Sequence, residues 1–332
     1  MSAPRYDVLG IGNAIVDVLA RAEEDFLVRQ KMPKGTMALI DEKRAREVYD
    51  AMGPAIEISG GSAANTIVGA ASFGARAAFI GKVKDDELGR VFGHDIRAAN
   101  VTLETKPAAD GPATGRCYVL VTPDGQRTMN TFLGAAQNLH PDDIDTGMIA
   151  ASAITYLEGY LWDPPQAKDA FLKAAKAAHA ARRMVALTLS DAFCVERYRA
   201  EFRKLMRDGT VDLVFANEAE LKSLYQTSDF ASGIAALRND INFAVVTRSE
   251  KGCVVVSNGI ETVPAFPVER VVDTTGAGDL FASGFLFGLA RGADHQTAAR
   301  LGALAAAEVI GHLGARPQIS LQKLAADNGL PA

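Results

Sequence analysis

Short apolar runs alternate with longer stretches of helical period along most of the chain. The first run, over 6–11, predicts a strand bounded by Gly12 and Asn13. Strand 77–80 precedes a helix over 86–99, 154–157 precedes 165–182, 185–189 precedes 195–207, and 211–215 precedes 218–225. A strand over 243–247 follows a helix over 231–238, and the last part is mostly helical, over 277–291, 296–310 and 321–326. Apolar strands separated by helices predict right-handed βαβ crossovers and a largely parallel sheet covered on both faces.

Two segments break this rhythm. One holds Met32-Pro33-Lys34-Gly35 and a strand-like 37–40. The other has a polar stretch over 108–111 and two β runs, 116–121 and 128–133, joined by Pro123-Asp124-Gly125. There proline presets one turn dihedral and glycine accepts a positive one. The expected architecture is α/β: a doubly wound, mainly parallel core (1–16, 42–101 and 135–332) carrying a small β-sheet lid (17–41 and 102–134).

Composition narrows the class. With 332 residues, 48% hydrophobic and 23% charged, the chain has the usual globular balance and needs no disulfide or metal staple. A net charge of −5, without long runs of one sign, lacks the basic footprint of a nucleic-acid binder. Cys117, Cys194 and Cys253 are too scattered for a zinc site or disulfide framework, which points to a reducing cytoplasm. The apolar stretch 8–20 is broken by Gly10, Gly12, Asn13 and Asp17, so neither a membrane span nor a secretory leader is expected.

Familiar signatures are missing: no P-loop, no nucleophile elbow, no zinc-protease helix. Gly10 and Gly12 open like a dinucleotide fingerprint, but Ile15 stands where its third glycine belongs, which argues against a nicotinamide oxidoreductase. The strongest signal is Asp273-Thr274-Thr275-Gly276-Ala277-Gly278-Asp279 before an apolar helix. Small residues at a helix start admit a ligand to free N–H groups, and the helix dipole favours an anion. A carboxylate in that first turn, Asp279, can take a proton from an attacking hydroxyl while the amides stabilise a transferring phosphoryl. Plain capping by Thr274 or Thr275 is the alternative, although glycines in a first turn cost helix stability.

Three weaker signals accompany it. Ser59-Gly60-Gly61-Ser62-Ala63-Ala64-Asn65 leads into a second apolar helix, with Asn65 suited to sugar hydroxyls or simply buried. Asp17, shortly after the first strand, is expected at the carboxyl end of the sheet, where it could accept from a vicinal diol or close a turn. Asn217 and Glu220 read as a reciprocal capping pair, and the same carboxylate could hold magnesium-bound water.

On Gly60–Asn65 with the region 74–89, on Asn217 and Glu220, and above all on Asp273–Asp279, the chain resembles the ribokinase-like carbohydrate kinases, the PfkB family. The likeness runs over nearly the whole sequence. Gly12 to Asp17, Leu189-Ser190 with Phe193, and Gln126-Arg127 with Met129 and Leu133 resemble the adenosine kinase branch of that family. The resemblance implies a ribokinase-like fold and ATP-dependent phosphorylation of a primary sugar hydroxyl, the 5′-OH of adenosine foremost. It implies Asp279 as base, Gly276, Ala277 and Gly278 as anion hole, and Arg127 as a lid arginine that approaches the phosphates. Asp17, Asn13, Gly60, Gly61 and Asn65 would bind the acceptor; Asn217, Glu220, Thr247, Gly252 and Thr275 would serve ATP. Mg²⁺ would be held through water by Glu220, and a monovalent cation such as K⁺ by Asp273 and Thr275. Ile15, Met129 and Leu133, if they line the ribose pocket, offer an apolar slot for a purine; the alternative is that they pack the lid's own sheet. The partners implied are a small nucleoside or sugar, with no nucleic acid or membrane, in a cytoplasmic monomer or homodimer. A kinase of another nucleoside or a free sugar, and a non-catalytic ligand sensor on the same fold, stay open.

Overall fold

A computed structural model describes residues 3–331. In chain order its first strands are β1 (Tyr6–Ile11), β2 (Ile15–Arg21), β3 (Met37–Leu39), β4 (Ala55–Gly60), β5 (Ala77–Ile80), β6 (Val101–Leu103), β7 (Gly115–Val121) and β8 (Arg127–Phe132). Then come β9 (Ser152–Glu158), β10 (Met184–Thr188), β11 (Leu213–Asn217), β12 (Ala244–Thr247), β13 (Cys253–Val256) and β14 (Ile260–Val263).

The larger sheet runs β14-β13-β12-β11-β10-β9-β1-β5-β6. It is parallel from β12 to β6, and only β13 and β14 are added antiparallel at one edge. Every residue of β1 and β5 is buried, which is why these strands read as unbroken apolar runs. One face packs Phe79, Tyr156, Phe215 and Phe285; the other packs Leu9, Ile11, Phe171 and Phe202. The core is thus a doubly wound α/β sheet, with helices on both faces.

The smaller sheet runs β3-β8-β7-β2-β4. Its strands cross the boundaries expected from sequence. β4 comes from the stretch assigned to the core, β2 begins two residues earlier, and β6, assigned to the lid, joins the larger sheet. β4 carries no strand signal because it starts exposed and pairs with β2 across more than thirty intervening residues rather than through a tight turn.

The two sheets are joined by short crossings. Gly12, Asn13 and Ala14 carry the chain from β1 straight into β2, and Gly61 carries it from β4 into the helix Ser62–Ser72. Gly61 has φ 99°, and a Cβ there would collide with the Asn13 carbonyl, so the two crossings touch and only glycine fits.

Candidate active site

A cleft of about 420 Å³ lies between the sheets. Its floor is the carboxyl ends of the parallel strands, with Asn13 after β1, Glu158 of β9, Thr188 of β10, Asn217 of β11 and Thr247 of β12. Strand order reverses between β9 and β1, the position where open α/β sheets bind ligands. Its other wall is one face of the smaller sheet. Alternate residues reach it: Ile15 and Asp17 of β2, Cys117 and Val119 of β7, Met129 and Thr131 of β8. Ile15, Met129 and Leu133 therefore stand in the cleft itself. Ser190 and Phe193 line it too, Phe193 with 57% of its surface exposed.

The glycine run opens the helix Ala277–Ala290. Gly276 is its N-cap at φ 77°, and no side chain caps the end, so neither Thr274 nor Thr275 takes that role. A Cβ on Gly276 would lie 2.8 Å from Ala315 Cα, whereas one on Gly278 would meet nothing within 4 Å. Gly276 thus answers to the protein, while Gly278 leaves open space where the cleft needs it. The Ala277 N–H reaches back to the Thr274 carbonyl at a long 3.3 Å.

Asp279 sits in the first turn and faces the other glycine-rich helix start. Ser62 Oγ donates to its Oδ1 at 2.6 Å and Asn65 Nδ2 to its Oδ2 at 3.2 Å. Burial raises its pKa, opposed by these two hydrogen bonds and by the charge of Arg316. Arg316 carries no sequence signal, yet its Nε donates to Asn65 Oδ1 at 2.7 Å.

Asp17 shares the cleft, but on β2 of the smaller sheet rather than in a loop after the first strand. Burial lifts its pKa to about 6, with Arg316 and Arg127 pulling it down and Asp279 adding to the rise. Gly60 is the strand partner of Ile15, and a Cβ on it would strike the Asp17 carboxylate; its bareness makes room for Asp17. Asn13 donates from Nδ2 to Glu158 Oε1 at 2.6 Å, and its Oδ1 has no partner among the described residues. Glu158, also unsignalled in the sequence, takes the Ala63 N–H on Oε2 at 2.8 Å, and burial raises its pKa to about 7.

On the far side, Asn217 caps the helix Glu218–Tyr225 in a reciprocal box with Glu220, as the spacing predicts. Both line the cleft, as do Thr247 and Thr275. Gly252 does not; its φ of 79° and the nearby Val263 carbonyl account for it structurally. Glu220 is buried, and its pKa rises to about 7 through burial, with Asp191 and Asp279 adding to it. Among the described residues no three His, Cys, Asp or Glu side chains gather to hold a metal directly. A carboxylate short of positive charge beside a polar cleft fits a magnesium ion that keeps its waters.

Arg127 lies off the cleft lining, its guanidinium against the Asp273 carboxylate at the start of the glycine run that ends in Asp279. Asp273 also takes the Thr275 N–H on Oδ1 and the Gly314 N–H on Oδ2. The Asp273 carboxylate thus faces a guanidinium and two amides.

Residues 46–322 match the pfkB family carbohydrate kinase domain. The crystal structure of adenosine kinase from Sinorhizobium meliloti is 53% identical and superposes with a TM-score of 0.92, over 98% of this chain and 99% of that one. A probable sugar kinase from Rhizobium etli CFN 42 is 49% identical with a TM-score of 0.93, over 98% and 99%. Adenosine kinase from Saccharomyces cerevisiae is 28% identical over 95% of this chain and 96% of its own length. The family match takes in both glycine-rich helix starts that meet at Asp279, and the chain belongs to the pfkB family of carbohydrate kinases.

Proposed function

We propose that this kinase transfers the γ-phosphoryl of ATP to the 5′-hydroxyl of adenosine, giving AMP and ADP. The observation that carries the acceptor is the apolar wall of Ile15, Met129 and Leu133 in the same cleft as Asp17 and Asn65. A nucleoside has a flat base to bury there, and a free sugar has none. The likeness to adenosine kinases along the full chain supports the same acceptor.

In this reading the ribose hydroxyls bind Asp17, Asn65, Asn13 and the backbone at Gly60 and Gly61. ATP lies over the ends of β11 and β12, along Asn217, Glu220 and Thr247 toward Thr275. Glu220, with Asn217, would hold Mg²⁺ through water, and that ion neutralises phosphate charge when bound. Asp279 accepts the proton of the attacking hydroxyl. Its burial raises its basicity above that of an exposed aspartate, while Ser62, Asn65 and Arg316 favour its ionised form. The N–H groups of Gly276, Ala277 and Gly278 stabilise charge on the transferring phosphoryl. Closure of the smaller sheet over the cleft excludes water, which otherwise competes for the phosphoryl.

The test is an ATP-consumption panel of adenosine, other nucleosides, ribose and fructose. Adenosine is expected to give the highest kcat/KM. Preference for a free sugar would move the reading to a sugar kinase, which the Rhizobium etli relative favours.

A further inference from the structure

We propose that Arg316 is a positioning residue for the transfer: its guanidinium locks the Asn65 amide with its nitrogen toward Asp279 and supplies positive charge to both Asp279 and Asp17. The proposal rests on the reading of Asp279 as the base.

The two ends of an asparagine amide have nearly the same shape, so packing alone does not choose between them. Arg316 makes the choice. Its Nε donates to Asn65 Oδ1 at 2.7 Å, which leaves Nδ2 to donate to Asp279 Oδ2. The flipped amide would set an oxygen against a carboxylate and an N–H against a guanidinium, unfavourable on both sides. The guanidinium is itself anchored, with Nη2 donating to the Ser59 carbonyl at 2.9 Å and to Ser59 Oγ at 3.2 Å, at the end of β4.

The segment carrying Arg316 braces both glycine-rich motifs. The Gly314 N–H donates to Asp273 Oδ2 at 2.8 Å, and Ala315 packs against Gly276. Next to them, Arg316 reaches Ser59 and Asn65 in the other motif. One short stretch thus sets the distance between the helix start that carries the base and the helix start that carries its orienting asparagine.

Arg316 also matters by its charge. The titratable groups facing Asp279 are Asp17 of β2, Tyr156 and Glu158 of β9, Tyr160 just beyond it, Glu220, and Arg316 itself. Arg316 is the cation that favours the ionised form of Asp279, and it acts on Asp17 in the same sense.

The test compares the full chain with Arg316→Gln and Arg316→Lys, using adenosine or whichever acceptor the wild type turns over fastest. Arg316→Gln is expected to lower kcat roughly 10²-fold, the order that misplacement of a reacting group costs. It should also move the acidic limb of the kcat–pH profile to higher pH. Arg316→Lys keeps the charge without the planar fork, so the limb should return while kcat recovers only in part. Titration of the Asp279 carboxyl by ¹³C NMR, its signal assigned through Asp279→Asn, reads the same shift without turnover. Wild-type kcat and pH limb in Arg316→Gln, with adenosine turnover intact, would overturn the role of Arg316 and leave the base reading standing. Should Arg316→Gln not fold, full wild-type kcat in Arg316→Lys overturns it equally. Wild-type turnover in Asp279→Asn would remove the base reading, and this proposal with it.

Discussion

The Ser62 hydroxyl donates to Asp279 Oδ1 at 2.6 Å, joining residues 217 positions apart. Ser62 begins one helix and Asp279 lies in the first turn of another. Both starts line the same cleft, so the positive ends of two helix dipoles converge on one carboxylate. That convergence suits a group that must remain an anion in a half-buried place and bring a phosphoryl group close.

Replacement of the proposed base should separate binding from chemistry. Asp279→Asn keeps the shape of the carboxylate and removes a charge whose burial is unfavourable, so thermal stability should be retained or raised. Adenosine affinity by calorimetry should change only a few fold. Turnover should fall by about 10²–10⁴-fold, the contribution of a positioned general base.

The two glycines of the run should part company. Gly276→Ala places a Cβ against Ala315 at a φ of 77° and should cost about 1–3 kcal/mol in a denaturant titration. A Cβ at Gly278 meets no neighbouring atom within 4 Å, so the unfolding midpoint of Gly278→Val should stay near wild type. Its turnover should collapse, because the added methyls occupy the approach to the amides. Equal stability losses in the two variants would contradict the assignment of Gly278 to the cleft.

Stability should fall as pH rises. Glu158 and Glu220 have pKa values raised from 4.5 to about 7 by burial. A folded-state pKa above the unfolded one means that the native state binds more protons between those values. The stabilisation is therefore complete below about 4.5 and lost as pH climbs through about 7. Calorimetric Tm of the ligand-free enzyme should decline from about pH 5 to about pH 8.5, and the Glu158→Gln/Glu220→Gln double variant should flatten the decline. A Tm that climbs over this range would show that these carboxylates are not held protonated by burial.

Much of the site was legible because its signals are local. The run ending in Asp279 departs from normal capping composition, and Asn217 and Glu220 stand at capping-box spacing; the structure finds a glycine cap without side-chain help and a complete box. Asp17 was visible as chemistry but not as geometry. It looks like a residue in a turn, whereas β2 starts only four residues after β1 ends and places it on the smaller sheet. Arg316 and Glu158 were invisible. Each acts through contacts far along the chain, 251 residues from Asn65 and 145 from Asn13, and no periodicity announces such a partner. The partner of Arg127 was hidden for the same reason, since its position on β8 does not disclose that Asp273 lies within its reach.

The proposed acceptor rests on the apolar wall. Ile15, Met129 and Leu133 are only partly buried, so a bound base would remove from water surface that the protein leaves uncovered. Met129→Asn and Leu133→Asn each exchange that contact for a polar group that must be desolvated when the base binds. The loss, on the order of 1.5–3 kcal/mol for one fully buried side chain, predicts a KM for adenosine raised roughly 10–100-fold. Because these residues lie away from Asp279, the contact is the same in ground and transition states, and kcat should hold. Any residual activity on ribose, which has no base to lay against the wall, should keep its kcat/KM in both variants. An unchanged KM for adenosine would return these side chains to packing within the smaller sheet and reopen the choice of a free sugar.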